Sequence, residues 1–386
     1  MKFRTLYFVA GEVSADNHGA ALMRCLRELE GNLRFVGRGG SRMQEIAGEQ
    51  FKNWIGDAAV LGLWEVLRKY GYFRAEFYKT LNDILETKPD AVVLIDYPGF
   101  NLRLARALRK RSPSQKIIYY ISPQVWAWNR GRIKRMAQFI DLVLCIFPFE
   151  ADLYDQAGLR AFFVGHPMME RLRAQKVQIE RDPNLIALFP GSRGREVRKI
   201  FPVMLESVRE LRKRNPNLRF EVAAASDQLA REIDNLWHRH LADEAGGPEA
   251  HAAIQIKVDE TATIMQRAWA GIVASGSATL EAAYFRLPFV LIYKVAWPTY
   301  LAARLVVNVK YLGMPNLLAG QEVVPEFIQH RSMPSAIVNA MQPLIEDANA
   351  RERMISQFDS IIPKLGDSAA SERAARAIIE EIGSAT

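Results

Sequence analysis

The chain has 386 residues, of which 49% are hydrophobic and 24% charged; this balance excludes a disordered chain, and the length predicts two lobes of roughly 100–200 residues each. The two cysteines, Cys25 and Cys145, are too few for a disulfide framework, so we expect a reducing, cytoplasmic compartment. The net charge of +8 suits nucleic acid, an anionic membrane face or phosphate-bearing substrates, and is equally compatible with a solvated basic surface.

The chain begins with basic residues and a short apolar run, MKFRTLYFVAG at 1–11. The run is too short for a secretory signal and leads into a turn, so it predicts a first buried strand. No stretch reaches the ~18 uninterrupted apolar residues of a membrane-spanning helix. The nearest, 287–309, is interrupted by Lys294, Pro298 and Arg304. We therefore expect a soluble or peripheral protein.

Short apolar runs alternate with amphipathic segments along the first half of the chain, as buried parallel strands and their covering helices do. Strands are predicted at 5–9, 91–96, 117–121, 142–147 and 161–164. Helices are predicted at 19–29, 101–111 and 131–138. This order indicates right-handed strand–helix–strand units in a doubly wound sheet.

The alternation restarts after a polar segment, 171–184, which we interpret as a linker. Strands are predicted at 185–189, 220–225, 254–258, 271–274 and 289–293, and a helical tail at 369–382 is expected to pack on the first lobe. The prediction is an α/β fold of two Rossmann-like lobes, the glycosyltransferase B architecture, with a cleft between them and a C-terminal helical tail. The first lobe covers 1–170 together with the tail 360–386, and the second covers 171–359.

Two strand-to-helix turns of the first lobe carry candidate functional residues. In AGEVSADNHGA at 10–20, backbone N–H groups favour an anion or a substrate hydroxyl, although Ser14 or Asp16 could equally be a helix cap. In IDYPGFN at 95–101, Asp96 ends an apolar strand, where open α/β sheets place their ligands. A partly buried carboxylate there can take a proton from an attacking hydroxyl; the alternative is a cap for the next helix.

The segment SPQVWAWNRGRIKRM at 122–136 follows another strand. Trp126 and Trp128 alternate, so one of them is expected to face the core. Aromatic and basic residues in one cluster are compatible with nucleic-acid binding. A single short cluster without a recognised binding fold is more often an exposed helix face, so we expect no nucleic acid as a partner.

Two turns of the second lobe predict a nucleotide-diphosphate site. In FPGSRGREV at 189–197, Gly191 permits close backbone approach, Ser192 can bond phosphate oxygens, and Arg193 supplies a bidentate charge. In ASGSATLEAA at 274–283, small residues precede a helix and Glu281 can accept both hydroxyls of a ribose. The alternatives are a capped helix with a surface arginine and a tightly packed helix with an exposed glutamate.

Metal and cofactor motifs are missing from the sequence. There is no Asp-x-Asp pair of the kind that bridges a metal to a diphosphate, and the six histidines lack metal-ligand spacing. We therefore expect neither a metal nor a cofactor.

The same motifs occur, in the same order, in one known family. The chain resembles lipid-A-disaccharide synthases from about residue 5 to residue 330, through AGEVSADNHGA, GRGGSRM, LGLWEVL, IDYPGFN, SPQVWAWNRGRIKRM, FPFE, FVGHP, PGSRGREV, ASGSATLE and MPNLLAGQE. The resemblance implies transfer from UDP-2,3-diacylglucosamine to 2,3-diacylglucosamine 1-phosphate (lipid X). The products are a β-1′,6-linked disaccharide 1-phosphate and UDP, with inversion at the sugar carbon.

The resemblance also implies roles for individual residues. Asp96 corresponds to the base that activates the acceptor 6-hydroxyl. The implied UDP and phosphate contacts are Gly191, Ser192, Arg193, Ser275, Gly276, Ser277, Thr279, Glu281 and Asn316. The implied acceptor-side residues are Gly11, Glu12, Ser14 and Asp16. The chain departs from the family pattern at two places. Ala15 stands where glycine is usual and adds a methyl group, and Gly99 stands where aspartate is usual and removes a second carboxylate beside Asp96.

Acylated substrates imply a membrane surface. The segment 60–73 has apolar residues with basic neighbours, as an interfacial helix at the cytoplasmic face of the inner membrane does; an ordinary core-facing helix is the alternative. The proposed membrane contacts are Leu63, Trp64, Leu67, Tyr70 and Phe73. Enzymes of the family can form homodimers, and the sequence leaves the oligomeric state of this chain open.

Two other functions stay open at this point. One is a different UDP-sugar enzyme of the same fold, either a 2-epimerase or a lipid-linked N-acetylglucosaminyltransferase. The other is a non-catalytic basic module that binds membrane or RNA.

Overall fold

The structure is a computed structural model that describes residues 3–58, 70–127, 131–242, 254–297, 300–301, 304, 309–367 and 369–383. The chain divides into two compact units. The first lobe comprises Met1–Glu170 and Leu365–Thr386, and the second lobe comprises Arg171–Lys364. Each lobe is built on one sheet in which all the paired strands are parallel.

The sheet of the first lobe has seven strands in the order β3-β2-β1-β4-β5-β6-β7. The strands are β1 (Arg4–Ala10), β2 (Leu33–Gly39), β3 (Phe51–Asn53), β4 (Ala91–Ile95), β5 (Lys116–Tyr120), β6 (Leu142–Cys145) and β7 (Ala161–Phe163). The described helices that begin in this lobe are α1 (Val13–Leu29), α2 (Ser41–Ala47), α3 (Ile55–Ala58), α4 (Tyr70–Thr87), α5 (Pro98–Arg111), α6 (Gly131–Met136), α7 (Pro148–Asp155) and α8 (Met168–Ala174). A short 3₁₀ turn, Val125–Ala127, follows β5.

The sheet of the second lobe has six strands in the order β10-β9-β8-β11-β12-β13. The strands are β8 (Asp182–Phe189), β9 (Arg219–Ala224), β10 (Ile254–Val258), β11 (Ala268–Ala274), β12 (Phe289–Tyr293) and β13 (Glu326–Ile328). The described helices of this lobe are α9 (Gly194–Arg214), α10 (Asp227–Ala242), α11 (Thr261–Arg267), α12 (Ala278–Tyr284), α13 (Met314–Ala319), α14 (Pro334–Glu346) and α15 (Ala348–Ile361). Two 3₁₀ turns, Gln329–Arg331 and Ile362–Leu365, complete the elements up to the tail.

The core of each lobe lies around its central strands. All five residues of β4, AVVLI, are completely buried. Such continuous burial, without an apolar–polar alternation, is what a parallel strand covered on both faces requires. No helix in the described part of the chain is both long enough and apolar enough to cross a bilayer.

The C-terminal helix α16 (Ala370–Gly383) returns to the first lobe and packs against α1. Its apolar face buries Ala374 and Ile378 completely. Polar contacts fix it further: the Arg373 guanidinium donates to the Val164 carbonyl at 2.7 Å, and Lys116 pairs with Glu381 at 2.7 Å. The predicted helical tail is confirmed.

Three strands were missed by the sequence pattern, and each has a physical reason. β3 and β13 have three residues each, too few to show a periodicity. β2, LRFVGRG, is interrupted by Arg34 and Arg38. Arg38 is nevertheless buried, because Glu76 and Asp83 of α4 pair with its guanidinium. The interpretation of 171–184 as a linker was wrong at both ends, since α8 extends to Ala174 and β8 begins at Asp182.

Candidate active site

The first candidate region lies at the carboxyl ends of β1 and β4. The two strands are neighbours, and Ala10 pairs with Ile95 in their parallel register. The chain leaves β1 towards β2 on one side and leaves β4 towards β5 on the other. A switch point of this kind opens a crevice at which open α/β sheets bind ligands. Residues 11–12 and 96–97 leave the sheet at this point.

The backbone at Asp96 is strained and tightly held. Asp96 and Tyr97 have φ of 46° and 50°, a left-handed conformation that costs a non-glycine residue roughly 1–3 kcal/mol. The Asp96 N–H donates to the Tyr120 carbonyl at 3.0 Å. The Asp96 carbonyl accepts from the Asn101 amide at 2.8 Å and from the Tyr119 hydroxyl. With both backbone groups bonded, the direction of the Asp96 side chain is set by the sheet.

The Asp96 carboxyl has the properties of a general base. Burial and, to a smaller extent, the nearby Glu12 carboxylate raise the pKa of Asp96 to about 6, against a backbone hydrogen bond from Tyr97 that lowers it. Helix α5 begins at Pro98 with Tyr97 as its N-cap and has no side-chain capping bond. Asp96 therefore does not serve as the cap, which was the alternative. A pKa near the working pH is what efficient proton transfer requires.

The pH dependence of the reaction should report this carboxyl. A base must be ionised, so activity should fall as the pH drops through about 6 and level off above it. Glu12→Gln removes a negative charge that raises the pKa of Asp96, so the midpoint of kcat/KM for the acceptor should move to lower pH. Glu28→Gln is the matched control, since it lies about 24 Å along α1 from Glu12 at 1.5 Å per residue. An unmoved midpoint in Glu12→Gln would contradict the assignment.

The predicted acceptor-side residues fall into two groups. Glu12 and Ser14 expose their side chains at the same strand edge as Asp96. Gly11 has a packing role, because a Cβ atom there would lie 2.4 Å from Cδ1 of the Tyr97 ring. The glycine thus lets the Tyr97 ring pack directly against the backbone that follows β1.

Asp16 is buried, with 4% of its surface exposed. One carboxylate oxygen accepts the N–H groups of Gly40 and Met43 at 2.8 and 3.1 Å, and the other accepts the N–H of Arg42 at 3.1 Å. These groups belong to the start of α2, so Asp16 caps a neighbouring helix rather than its own. This arrangement favours a structural role, and direct contact of Asp16 with an acceptor stays a prediction.

Two supporting residues of this region were missed. The Trp54 indole donates to the Ala10 carbonyl at 2.6 Å, and its ring lies against Tyr97 and Phe100, with centroids 6.3 and 5.2 Å away. Nothing in the sequence around Trp54 indicates this role. The Asn101 amide is completely buried and also reaches the Ile95 carbonyl at 3.2 Å. Its place in the IDYPGFN motif was the available signal.

The described residues include part of the aromatic cluster and part of the predicted membrane segment of the first lobe. Trp126 is buried, as expected for one of the two tryptophans, whereas Trp128 lies outside the described residues. Lys134 and Arg135 of α6 are exposed, consistent with an exposed helix face. Of the predicted membrane contacts, Phe73 is half-buried and lies edge-on to Tyr72. The others lie outside the description: Leu63, Trp64, Leu67 and the side chain of Tyr70.

The second candidate region repeats the switch-point geometry in the second lobe. β8 and β11 are neighbours, and Phe189 pairs with Val273. The turns that follow contain Gly191 and Gly276, with φ of 112° and 153°, a region that side chains rarely adopt. A Cβ atom at Gly276 would meet nothing within 4 Å. The backbone there is open to the approach of a ligand.

The polar groups around these turns are mostly exposed. Arg193 is the N-cap residue of the 21-residue helix α9, and 72% of its side chain is accessible. Among the described residues it forms an ion pair with Glu196, at 3.2 Å. Ser192 and Ser277 are exposed, and Ser275 is half-buried. An exposed guanidinium beside the first N–H groups of a long helix suits a diphosphate.

Three other predicted nucleotide contacts are buried: Thr279, Glu281 and Asn316. The Thr279 hydroxyl donates to the Gly276 carbonyl at 2.7 Å, which closes the turn. Glu281 forms an ion pair with Arg171 at 2.9 Å. The pair leaves the second carboxylate oxygen of Glu281 without a bond to Arg171, so the side chain can still accept hydrogen bonds from hydroxyls.

Asn316 is completely buried and its amide is used by the protein itself. Its oxygen accepts the N–H groups of Val323 and Val324 at 2.7 and 2.8 Å. Its nitrogen donates to the Val324 carbonyl and to Glu326, both at 2.8 Å. The Glu326 carboxylate also accepts the Gly313 N–H at 2.8 Å. The amide therefore holds the loop after α13 in place, a role that the sequence did not reveal.

The chain is similar to one known family over nearly its whole length. A family described as Lipid-A-disaccharide synthetase matches residues 6–379. A lipid-A-disaccharide synthase of Geobacter sulfurreducens is 37% identical, and the match covers 98% of this chain and 97% of that protein. Matches of this extent concern the whole chain and not one motif.

Two solved structures share the fold at low sequence identity. A UDP-GlcNAc 2-epimerase from Neisseria meningitidis, bound to UDP-GlcNAc, has a TM-score of 0.61 at 11% identity and covers 98% of this chain and 100% of its own. A calicheamicin glycosyltransferase has a TM-score of 0.55 at 13% identity, with coverage of 98% and 99%. The two-lobed α/β fold is thus confirmed as that of glycosyltransferases and epimerases of the B architecture. With the family match over nearly its full length, the chain belongs to the lipid-A-disaccharide synthetase family.

Proposed function

We propose that this chain is the inverting glycosyltransferase that joins UDP-2,3-diacylglucosamine to 2,3-diacylglucosamine 1-phosphate. The observation that carries the proposal is the Asp96 carboxyl, held at a strand end by a strained backbone and given a pKa of about 6. Such a group suits the removal of a proton from a sugar hydroxyl. Membership of the lipid-A-disaccharide synthetase family supports the same reaction.

The proposed reaction is a single displacement. Asp96 accepts the proton of the acceptor 6-hydroxyl, and the oxygen of that hydroxyl attacks the donor sugar carbon. The bond from that carbon to the diphosphate oxygen breaks on the opposite face, and UDP leaves with the electron pair. One displacement inverts the configuration and gives the β-1′,6-linked disaccharide 1-phosphate.

We propose that the second lobe binds UDP at the turns after β8 and β11. Arg193 and Ser192 suit the diphosphate, since both are exposed beside the start of α9; the negative charge that develops on the leaving group is then stabilised by a guanidinium. The open backbone at Gly276 and the neighbouring Ser275 and Ser277 offer further donors. Glu281 accepts the ribose hydroxyls. Thr279 and Asn316 hold the turns from behind, because their polar atoms are bonded to the chain.

We propose that the acceptor binds at the first lobe beside Glu12 and Ser14. The two departures from the family pattern have small consequences for this region. Ala15 is 1% exposed, so its methyl group points into the protein and not towards an acceptor. A Cβ atom at Gly99 would meet nothing within 4 Å, so this position is open and its glycine is not required by the packing.

Both substrates carry acyl chains, so we propose peripheral association with the cytoplasmic face of the inner membrane through the segment 60–73. The absence of a spanning helix in the described residues is compatible with this placement. Homodimer formation and the cleft between the lobes stay predictions.

The reaction is tested with the purified protein, both diacylated substrates and mass spectrometry of the products. We expect one disaccharide 1-phosphate and one UDP per turnover, with a β linkage by NMR, and the same rate with a chelator present. No disaccharide from active, folded protein would overturn the proposal. Epimerised donor without acceptor consumption would favour an epimerase, and salt-sensitive RNA binding without UDP affinity would favour a binding module.

A further inference from the structure

The segment that follows β5 is strained in the same way as Asp96. Ile121 has φ of 63°, which is a rare conformation for a β-branched residue. Among the residues that the structure describes, seven non-glycine residues have positive φ, and three of them are Asp96, Tyr97 and Ile121. Strained backbone concentrates where function requires a particular geometry. Its concentration here, at two strand ends, indicates that both ends belong to one site.

The two strand ends are neighbours. β4 and β5 are paired in parallel, and Ile95 lies opposite Tyr120. Asp96 and Ile121 are the residues that follow these two strands. They therefore lie side by side, since paired strands are about 4.8 Å apart. The Asp96 N–H donates to the Tyr120 carbonyl, and the Ile121 N–H donates to the Leu144 carbonyl at 3.1 Å. The segment 122–126 thus leaves the sheet directly beside the proposed base.

Helix α7 holds this segment through two side chains. Glu150 is completely buried, and one of its carboxylate oxygens accepts the Trp126 indole N–H at 2.8 Å. The Tyr154 hydroxyl donates to the Pro123 carbonyl at 2.8 Å. The Trp126 ring also lies edge-on against Phe149, with centroids 4.8 Å apart. The segment is therefore attached to α7 near both of its ends.

The chemistry of this attachment requires a carboxylate. The second oxygen of Glu150 accepts the Phe147 N–H at 3.1 Å, so the side chain receives hydrogen bonds from two donors on two different segments. A glutamine would present an NH₂ group to one of them, since it has a single acceptor oxygen. A buried acid is costly, and burial raises the pKa of Glu150 to about 7. The chain nevertheless has an acid at this position.

We propose that Glu150 is a positioning residue for the transfer reaction, which acts through Trp126 to hold the segment 122–126 as a wall of the acceptor site beside Asp96. The inference rests on the proposed function, in which Asp96 activates the acceptor hydroxyl. Glu150 itself lies behind the segment and does not contact the reacting atoms. Loss of the bond to Trp126 lets the wall relax, so the acceptor loses its alignment with Asp96 while the second lobe keeps its affinity for UDP.

The test uses two conservative substitutions on the full-length protein. Trp126→Phe removes the N–H donor and keeps an aromatic ring, and Glu150→Gln removes one of the two acceptors. Each should lower kcat/KM for the acceptor by about 10–100-fold, as a shift of about 1 Å does in well-aligned active sites. UDP affinity, measured by calorimetry, should change less than about twofold. The Glu150→Gln/Trp126→Phe double variant should lose no more than the larger single effect, because both changes break one contact.

The matched control is Glu381→Gln. Glu381 is another buried acid of the first lobe. It lies on α16 and pairs with Lys116 at the start of β5 and with Arg160, not with the segment after β5. The Glu381→Gln variant should have a lower melting temperature, and its kcat/KM for the acceptor should change less than twofold. If Glu150→Gln fails to fold, the positioning role is tested with Trp126→Phe and Tyr154→Phe, each of which should lower kcat/KM for the acceptor.

The outcomes separate this inference from the proposed function. If the wild-type protein makes no disaccharide, the proposed function itself fails. If the wild-type protein is active and Asp96→Asn is not, but Trp126→Phe retains full kcat/KM for the acceptor, the positioning role is wrong. An equal loss of kcat/KM for the acceptor in Glu381→Gln and Trp126→Phe would also overturn the positioning role. Such a result would mean that both variants act by general destabilisation of the first lobe.

Discussion

Replacing Asp96 with asparagine should lower the rate of disaccharide formation by about 10²–10⁴-fold, the usual contribution of a general base. Asparagine has nearly the same shape, and the bonds that fix this position come from its backbone groups, which the change leaves intact. The fold should therefore be retained. UDP affinity should be unchanged, because the proposed UDP contacts lie on the second lobe. Steady-state kinetics, calorimetry with UDP and a melting curve measure these three quantities.

The matched control for this substitution is Asp90→Asn. Asp90 lies just before β4, at the opposite end of the strand from Asp96, and accepts the Thr5 N–H at 2.6 Å. Its loss should affect stability and leave the transfer rate within about twofold of wild type. The residual activity of Asp96→Asn should also lose its dependence on pH near 6. Full activity in Asp96→Asn would require another base and would refute the mechanism.

The second large effect is expected at Arg193. Arg193→Ala should lower kcat/KM for the donor by about 10²-fold, which corresponds to about 2.7 kcal/mol of transition-state stabilisation. The guanidinium is exposed beside the start of α9 and is proposed to bind the diphosphate with two parallel hydrogen bonds. Arg193→Lys should recover only part of the loss, because an ammonium keeps the charge without the bidentate geometry.

Arg195→Ala is the control for Arg193→Ala. Arg195 has the same charge, lies two residues further along α9 and is exposed. It should leave the donor kinetics within about twofold of wild type. An equal loss in both variants would mean that the basic surface attracts the donor without a specific contact. An unchanged UDP affinity in Arg193→Ala would remove Arg193 from the proposed diphosphate site.

The residues of the site differ in how far the sequence predicts them. The sequence predicts Asp96 as a candidate because it follows the apolar run AVVLI, and the position of a residue just after a buried strand is visible in the pattern. Arg193 is predicted as a candidate in the same way, from its position beyond β8. Asp16, Thr279 and Asn316 belong to the same motifs, yet their polar atoms are bonded within the protein. A motif does not show which of its members face a ligand.

Other features of the first lobe depend on contacts between residues that are far apart in the sequence. Trp54 supports Tyr97 across more than forty residues, and Glu150 holds Trp126 from a different helix. The buried Arg38 is paired with acids of α4. No local pattern around any of these residues indicates its partner, since partners of this kind meet only when the sheet has formed.

The sequence alone was sufficient for the α/β class, the two lobes, the helical tail and the two sets of strand ends that carry the candidate chemistry. These follow from hydrophobic runs and from the turns that interrupt them, both of which are local properties of the chain. The tertiary structure decided the rest: which polar atoms are used internally, why the pKa of Asp96 is about 6, and which side chains hold its neighbours. These depend on burial and on contacts between distant segments, and neither exists before the strands pair.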